Sequence, residues 1–216
     1  MKRVVIAVLT AVAVALLGLV PVLQAPAAPA APAAPAAKKL VCEDGGTYSG
    51  TYKSVRVPAG FDCTLDGATV IGNVFAKKAP GSVQILSSEV GHNIMIDGAT
   101  GLVFIGVEGC KIDPHAGNNI KVTNSTGDIL ICEETIDNNL MLRGNSGAIS
   151  VFRNTVGVNI HITHNEAYTG TSTHPGETIR VRHNTVRNRI VVRANDGRPA
   201  ICKNNTAKAE ICPSAP

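Results

Sequence analysis

One spacing of apolar residues recurs along most of the chain. Within each copy, apolar side chains stand at offsets 0, 2, 7, 11 and 13 from the first one. Extra residues separate some copies, six around 106–118 and ten within 166–177. A repeat of about 20 residues is typical of solenoid architectures. The copies begin at Cys63, Val83, Val103, Ile129, Ile149, Ile179 and Ala200.

The repeat has the period of short β-strands. Apolar residues separated by one position, such as Ile149 and Val151, point to the same side of a strand. The segments between them are rich in Gly, Asn, Ser, Thr and Asp, which favour turns. Such short strands bury their apolar side only when successive repeats stack about 4.8 Å apart. The sequence therefore predicts an all-β fold, a single parallel β-helix (solenoid) of about seven repeats.

Asparagines also recur at fixed offsets. Asparagine tolerates the left-handed backbone of a sharp corner, and stacked amides can hydrogen-bond to one another. We interpret the asparagines as an internal structural ladder rather than as a sugar-binding site. Two shorter series are Asn154, Asn184, Asn205 and Asn145, Asn165, Asn195. The main series is Asn73, Asn93, Asn119, Asn139 and Asn159, and Arg189 interrupts it.

The N-terminal segment has the pattern of an export signal. Lys2 and Arg3 precede an apolar stretch over 4–20, and Ala25 and Ala27 match a signal-peptidase site. We predict a signal peptide at 1–27, an Ala/Pro-rich linker at 28–39 and the β-helix domain at 40–212. Prolines make the linker an extended spacer. The protein is expected to be secreted or associated with the cell wall. An uncleaved segment would instead anchor it to the membrane.

Six cysteines in an exported chain predict disulfide bonds. Their spacings do not resemble those of a zinc site, so no metal or cofactor is expected. We favour pairing between sequence neighbours, because the first two pairs would then link adjacent repeats. The predicted pairs are Cys42–Cys63, Cys110–Cys132 and Cys202–Cys212.

The charge of the chain argues against nucleic acid as a partner. The formal net charge is +4, and Lys2 and Arg3 of the predicted signal peptide contribute two of these charges. The remaining excess is too small for the electrostatic footprint of a nucleic-acid-binding domain. An exported protein also has little access to such a partner.

Parts of the sequence resemble a known superfamily. The runs RNTVGVNIHITHN (153–165) and RHNTVRNRIVV (182–192) are similar to the right-handed parallel β-helix repeats of the pectate-lyase-like superfamily. The run CTLDGATVIGNV (63–74) resembles repeats of small secreted bacterial β-helix proteins of unassigned function. The resemblance covers about 60–205 and implies that the β-helix is right-handed. A looser similarity to bactofilins, which are cytosolic, conflicts with the predicted export.

The resemblance does not carry over the catalytic residues of the superfamily. Its lyases would imply a calcium site of converging carboxylates together with a Lys or Arg base. The aspartates stand at different offsets, and Glu133 and Glu134 are adjacent, so they would point in opposite directions on a strand. We therefore identify no catalytic residue. The aspartates considered are Asp66, Asp97, Asp113, Asp128 and Asp137.

The repeat also predicts which side chains face outward. In the second strand of each copy these are Phe75, Met95, Lys121, Met141, His161 and Val191, followed by Lys77, Asp97, Thr123, Arg143, Thr163 and Arg193. Basic residues are concentrated in the later repeats and could bind an acidic polymer through bidentate contacts. The alternative is a solvated charged surface. The candidate binding residues are Arg180, Arg182, Arg193, His161 and His183, with Tyr168 and His174 from the extra residues within 166–177.

These features predict a non-catalytic protein. It would bind an acidic polysaccharide or another cell-envelope polymer, or serve as a structural surface protein. The alternative is a divergent polysaccharide lyase or glycoside hydrolase, which rests on analogy of fold alone. The segment 42–60 and the Cys202–Cys212 tail resemble caps over the ends of the solenoid, so we expect a monomer.

Overall fold

The computed structural model describes residues 36–107, 117–166, 179–196 and 199–213. The predicted signal peptide lies outside these residues, as does most of the linker. No helix in the described part of the chain is long and apolar enough to cross a membrane. All of its regular secondary structure is β. The strands are β1 (Lys38–Val41), β2 (Thr47–Val57), β3 (Cys63–Val70), β4 (Val74–Ala76), β5 (Val83–Leu86), β6 (Glu89–Val90), β7 (Ile94–Asp97), β8 (Val103–Gly106), β9 (Asn119–Thr123), β10 (Ile129–Cys132), β11 (Thr135–Ile136), β12 (Asn139–Arg143), β13 (Ile149–Phe152), β14 (Thr155–Val156), β15 (Asn159–Thr163), β16 (Ile179–Arg182), β17 (Thr185–Val186), β18 (Arg189–Arg193), β19 (Ala200–Lys203) and β20 (Ala209–Ile211).

Each strand pairs in parallel with its copies in the neighbouring repeats. We call the resulting stacks the A, B and C columns. The A column contains the first residues of β2, followed by β3, β5, β8, β10, β13, β16 and β19. The B column contains β11, β14 and β17, with an earlier pair formed by β3 and β6. The C column contains β1, β2, β4, β7, β9, β12, β15, β18 and β20.

The register of the columns follows the offsets of the repeat. Val151 lies opposite both Ile131 and Val181, as the predicted stacking requires. The extra residues do not disturb this register, since Ile105 lies directly opposite Ile131. The all-β prediction is confirmed. The large parallel sheet is compatible with a β-helix solenoid.

The apolar offsets form the core. The residues at offsets 0, 2, 7, 11 and 13 are almost fully buried in every described copy from Cys63 to Val192. The last copy packs less completely, because Ile211 ends the C column and is 50 % exposed. Burying an Ile, Val or Leu side chain contributes about 1.5–3 kcal/mol. The repetition of such side chains therefore supplies the main stabilisation of the fold.

The segment predicted as an N-terminal cap is instead a further repeat. Tyr48 and Tyr52 lie opposite Leu65 and Val70, and β2 continues along Val74–Ala76 of β4. The spacing of this copy is shorter than 20 residues, and tyrosines replace aliphatic residues. These two changes concealed it in the sequence. Strand β1 pairs with β2 and forms the actual N-terminal edge.

The C-terminal end of the C column carries a charge at a core position. Glu210 lies opposite Ile190, at the offset that apolar residues occupy in the preceding repeats. A charged residue at such a position discourages pairing with a further strand. This placement is in keeping with the prediction that the C-terminal tail acts as a cap.

Most of the described repeats turn two of their corners with a residue of positive φ. Most of these residues are not glycine, and their φ angles lie between 46° and 66°. Such a backbone costs about 1–2 kcal/mol for a residue with a Cβ. The first corner holds Ser87, Glu133, Arg153, His183 and Asn204, and the second holds Lys78, Asn124, His164 and Ala194.

The asparagines of the main series donate to one another in order. Asn93 Nδ2 donates to Asn73 Oδ1 at 3.0 Å, and each later member donates to the one before it at 2.9–3.2 Å. Although Arg189 occupies the next ladder position, the series does not end there. Asn188 Nδ2 donates to Asn159 Oδ1 at 2.9 Å, so the residue before Arg189 continues the hydrogen bonding.

The two shorter asparagine series are more deeply buried. Asn154 Nδ2 donates to Asn184 Oδ1 at 3.0 Å and to the carbonyl oxygen of Ile131 at 3.0 Å. Its Oδ1 accepts the backbone N–H of Glu134 at 2.9 Å. Asn145 and Asn165 bond to the next repeat in the same manner. Each buried amide therefore satisfies polar backbone groups at a corner that carries no strand pairing.

Two disulfides form as predicted, Cys42–Cys63 and Cys202–Cys212. Their Cα atoms are 5.6 Å and 6.4 Å apart, which is within the usual range. The first links the N-terminal segment to the repeat that begins at Cys63. Cys132 is also disulfide-bonded, and its predicted partner, Cys110, lies outside the described residues.

Replacing Asn154 with alanine should destabilise the protein by about 3 kcal/mol or more. The change leaves several buried polar groups unpaired, and each costs about 1–3 kcal/mol. Urea denaturation measures the loss. Asn159→Ala is the matched control in the half-buried main series, where water can replace the lost partners, so a loss of about 1 kcal/mol or less is expected. Equal losses would contradict the role assigned to the buried series.

Replacing Ala194 with glycine should stabilise the protein by about 1 kcal/mol. Ala194 is exposed and has a φ of 52°, a conformation that glycine adopts without strain. The control is Ala209→Gly in strand β20, where the flexibility of glycine should lower the free energy of unfolding. The prediction fails if both variants unfold at a lower urea concentration than the wild type.

Candidate ligand-binding surface

The structure separates the predicted basic patch into two groups. Arg180 and Arg182 lie on β16 in the A column, and His183 follows them at a corner. Arg193 on β18 and His161 on β15 lie in the C column instead. Strands β16 and β18 pair with different neighbours. The other two candidates, Tyr168 and His174, lie outside the described residues.

In the A-column group the arginines stand beside unlike neighbours. Arg180 is exposed and lies between Ser150 and Ile201. Arg182 is half-buried between Phe152 and Lys203, and its Nε–H is buried without a hydrogen-bond partner. The Nδ2 of Asn204 approaches the His183 Nε2 at 3.5 Å. These positive charges are therefore confined to the last two repeats.

The C-column group belongs to a longer row of positive charge, which we call the cationic face. Two outward positions per repeat form this face, one within the strand and one at its end. Arg56 lies opposite Phe75, and Lys121 lies between Met95 and Met141. The exposed cations of the face are Arg56, Lys77, Lys121, Arg143 and Arg193. Val191 differs from its prediction, since only 4 % of it is exposed.

A groove of about 480 Å³ lies in the middle of the cationic face. Lys77, Lys121 and Arg143 supply its positive charges, and Met95 and Met141 supply apolar surface. Lys77 Nζ lies 5.5 Å from the centre of the Phe75 ring, which is a cation–π distance. Within the described part of the chain none of these three cations forms an ion pair. Their charges are therefore available to a ligand.

The groove also contains one carboxylate. Asp97 lies in the same row as Arg143, and its Oδ1 accepts hydrogen bonds from two side chains of the next repeat. These donors are Thr123 Oγ1 and Asn124 Nδ2, both at 2.8 Å. Two such bonds hold the carboxylate at a fixed place beside the cations.

His161 adds a titratable group to the cationic face. It lies between Met141 and Val191. Its pKa is lowered from the ordinary value of 6.5, first by burial and then by the charges of Arg189 and Arg193. The ring is therefore neutral at neutral pH, and the face gains a charge only under acidic conditions.

The cations of the groove could have been predicted from the sequence, since the predicted outward rows contain Lys77, Lys121 and Arg143. The candidate patch nevertheless came from the later repeats, where arginines are densest. A high density of arginines along the sequence did not identify one surface, because Arg180 and Arg193 belong to different columns. The useful signal was a basic residue at the same two offsets of one column in many repeats.

Carboxylates and other metal-ligating side chains stay apart in the described structure. No group of three or more His, Cys, Asp or Glu side chains comes together among the described residues. Glu133 Oε1 bonds to Arg153 Nη1 at 3.0 Å, while the adjacent Glu134 is buried. Asp113 lies outside the described residues.

Comparisons with known proteins add no relative. No protein-family model matches the chain, and neither curated proteins nor solved structures yield a match. The relation to the pectate-lyase-like superfamily therefore stays a resemblance of the repeats.

Protonation of His161 should destabilise the folded protein. The unfolded chain binds this proton below a pH of about 6.5, whereas the folded protein binds it only at lower pH. The contribution of neutral His161 to the free energy of unfolding is therefore fully present above pH 6.5. It is lost as the pH falls from 6.5 through the lowered pKa. In urea denaturation from pH 8 to pH 5, wild type should lose more stability than His161→Gln. If the free energies of unfolding of wild type and His161→Gln differ by the same amount at pH 8 and at pH 5, His161 does not have a lowered pKa in the folded protein.

Proposed function

We propose that the protein is a secreted or cell-wall-associated right-handed parallel β-helix that binds an acidic polysaccharide or a similar acidic envelope polymer without cleaving it. About seven or more repeats of 20 residues would form one rigid rod. The predicted signal peptide, the Ala/Pro-rich linker and the resemblance to pectate-lyase-like repeats support this proposal. The two described disulfides are weakly consistent with an extracellular location.

The cationic face is the observation that carries the proposal. Five of the seven repeats from Arg56 to Arg193 present an exposed Lys or Arg on it. Strand spacing makes this row about 30 Å long. A linear polymer with repeated negative charges matches such a row better than a small ligand does. The mixture of Lys and Arg suits carboxylate or phosphate groups.

Binding should depend on salt and on the C-column cations. Retention of the wild type on an acidic-polysaccharide column should fall as sodium chloride is raised, since salt screens exposed charges. The double variant Lys121→Ala/Arg143→Ala should bind about twofold to thirtyfold more weakly, because each exposed charge contact contributes about 0.2–1 kcal/mol. Its unfolding curve should match that of the wild type, because both side chains are exposed.

The A-column arginines provide the control. Arg180→Ala/Arg182→Ala removes the same amount of charge from the other surface and should have a smaller effect on retention. If this variant alone loses binding, the polymer lies on the A column and the proposed surface is wrong. If neither variant nor salt alters retention, the protein does not bind acidic polymers through these charges. Ultraviolet absorbance of unsaturated products, followed on the same polymers, should stay constant, and a rise would favour the lyase alternative.

A further inference from the structure

The cationic face carries a single negative charge in its two outward rows. Asp97 stands at the position that Lys77 holds in the preceding repeat and Arg143 holds two repeats later. No other carboxylate of the described residues occupies these rows between Arg56 and Arg193. The charge along the groove therefore changes sign, from Lys77 to Asp97 and back to Lys121 and Arg143.

The Asp97 carboxylate is held in this place by hydrogen bonds. Thr123 Oγ1 and Asn124 Nδ2 both donate to Oδ1, which leaves Oδ2 without a hydrogen bond from the described residues. Asp97 forms no ion pair with the neighbouring cations in the described structure. Its negative charge is therefore presented to the groove together with the positive charges rather than cancelled by one of them.

This arrangement discriminates between ligands by the spacing of their charges. The repeats of Lys77 and Lys121 are two strand spacings apart, about 10 Å, with Asp97 halfway between them. A polymer with a negative charge about every 5 Å would place one against Asp97, which opposes binding. A polymer with charges about 10 Å apart would meet Lys77 and Lys121 and place a neutral unit between them.

The surface at the middle position suits a neutral sugar. Met95 stands beside Asp97 on the outward side of β7 and lines the groove. Its thioether can pack against the C–H groups of a sugar ring. A sugar hydroxyl can donate a hydrogen bond to Asp97 Oδ2. An ionised carboxylate at the same place has no hydrogen to donate, and the charge of Asp97 repels it.

We propose that Asp97 is a specificity-determining residue that selects acidic glycans in which charged and neutral sugars alternate, over glycans charged on every sugar. This inference rests on the proposed function. It adds the ligand's charge pattern and names the residue that reads it.

The experiment compares two defined polymers. Hyaluronan alternates a uronate with a neutral sugar, whereas polygalacturonate carries a uronate on every sugar. Affinities are measured at low salt with the full mature protein by isothermal titration calorimetry, at equal concentrations of carboxylate. The wild type should prefer hyaluronan about threefold or more. Asp97→Asn should raise the affinity for polygalacturonate about threefold to tenfold and abolish the preference for hyaluronan.

The choice of variants isolates the carboxylate. Asparagine keeps an oxygen that can accept from Thr123 and Asn124, so the unfolding curve of Asp97→Asn should match the wild type. The matched control is Asp66→Asn, which changes the net charge equally at an exposed site in the A column. It should leave the preference between the polymers unaltered.

The outcomes separate the two proposals. If neither polymer binds the wild type, the proposed function itself fails. If both bind without preference, or if Asp97→Asn and Asp66→Asn change the affinities alike, the protein binds acidic polymers but Asp97 does not select among them. A wild type that prefers polygalacturonate overturns the inference outright.

Discussion

Amide side chains that bond to their own copies hold the repeats in register. Apolar contacts are not directional, so a column of Ile, Val and Leu could stack in more than one alignment. The asparagines remove this freedom, because Asn154 meets Asn184, and Asn165 meets Asn195, only when the strands are aligned. A slip by one residue would leave their buried amides unpaired and also turn the apolar side chains outward. Serines take the same role earlier, where Ser125 Oγ accepts the backbone N–H of Ala99.

Much of this fold could be predicted from the sequence, because stacking converts equal offsets into contacts. The core positions, the columns and two of the disulfides followed from the spacing of residues alone. The departures arise where the spacing changes. The repeat containing Tyr48 and Tyr52 is shortened, and Asn188 continues the ladder one position before the place that the repeat prescribes. Such local shifts depend on backbone geometry, which an offset count does not contain.

The candidate binding surface was less accessible to sequence reasoning. Residues close in sequence, such as Arg182 and Arg189, belong to different columns, while Lys77, Lys121 and Arg143 are far apart in sequence and line one groove. The side-chain bonding of Asp97 was also hidden, since its partner Thr123 follows an insertion that interrupts the count of 20. Rows of charge on a rigid parallel sheet are spaced by strand separation, so the backbone sets the distances that a polymer would meet.

Equivalent corners and asparagine ladders recur from one repeat to the next. This recurrence also determines how such a protein can vary in length. Asn119, Asn139 and Asn159 occupy equivalent places, so excising 139–158 would bring Asn119 against Asn159 with every column still aligned. Removal of one residue within a strand would misalign that strand with its neighbours, whereas extra residues at a corner leave the register intact, as the pairing of Ile105 with Ile131 shows. Strand pairs are therefore gained or lost in units of a complete turn, and each turn lengthens or shortens the cationic face by about 4.8 Å.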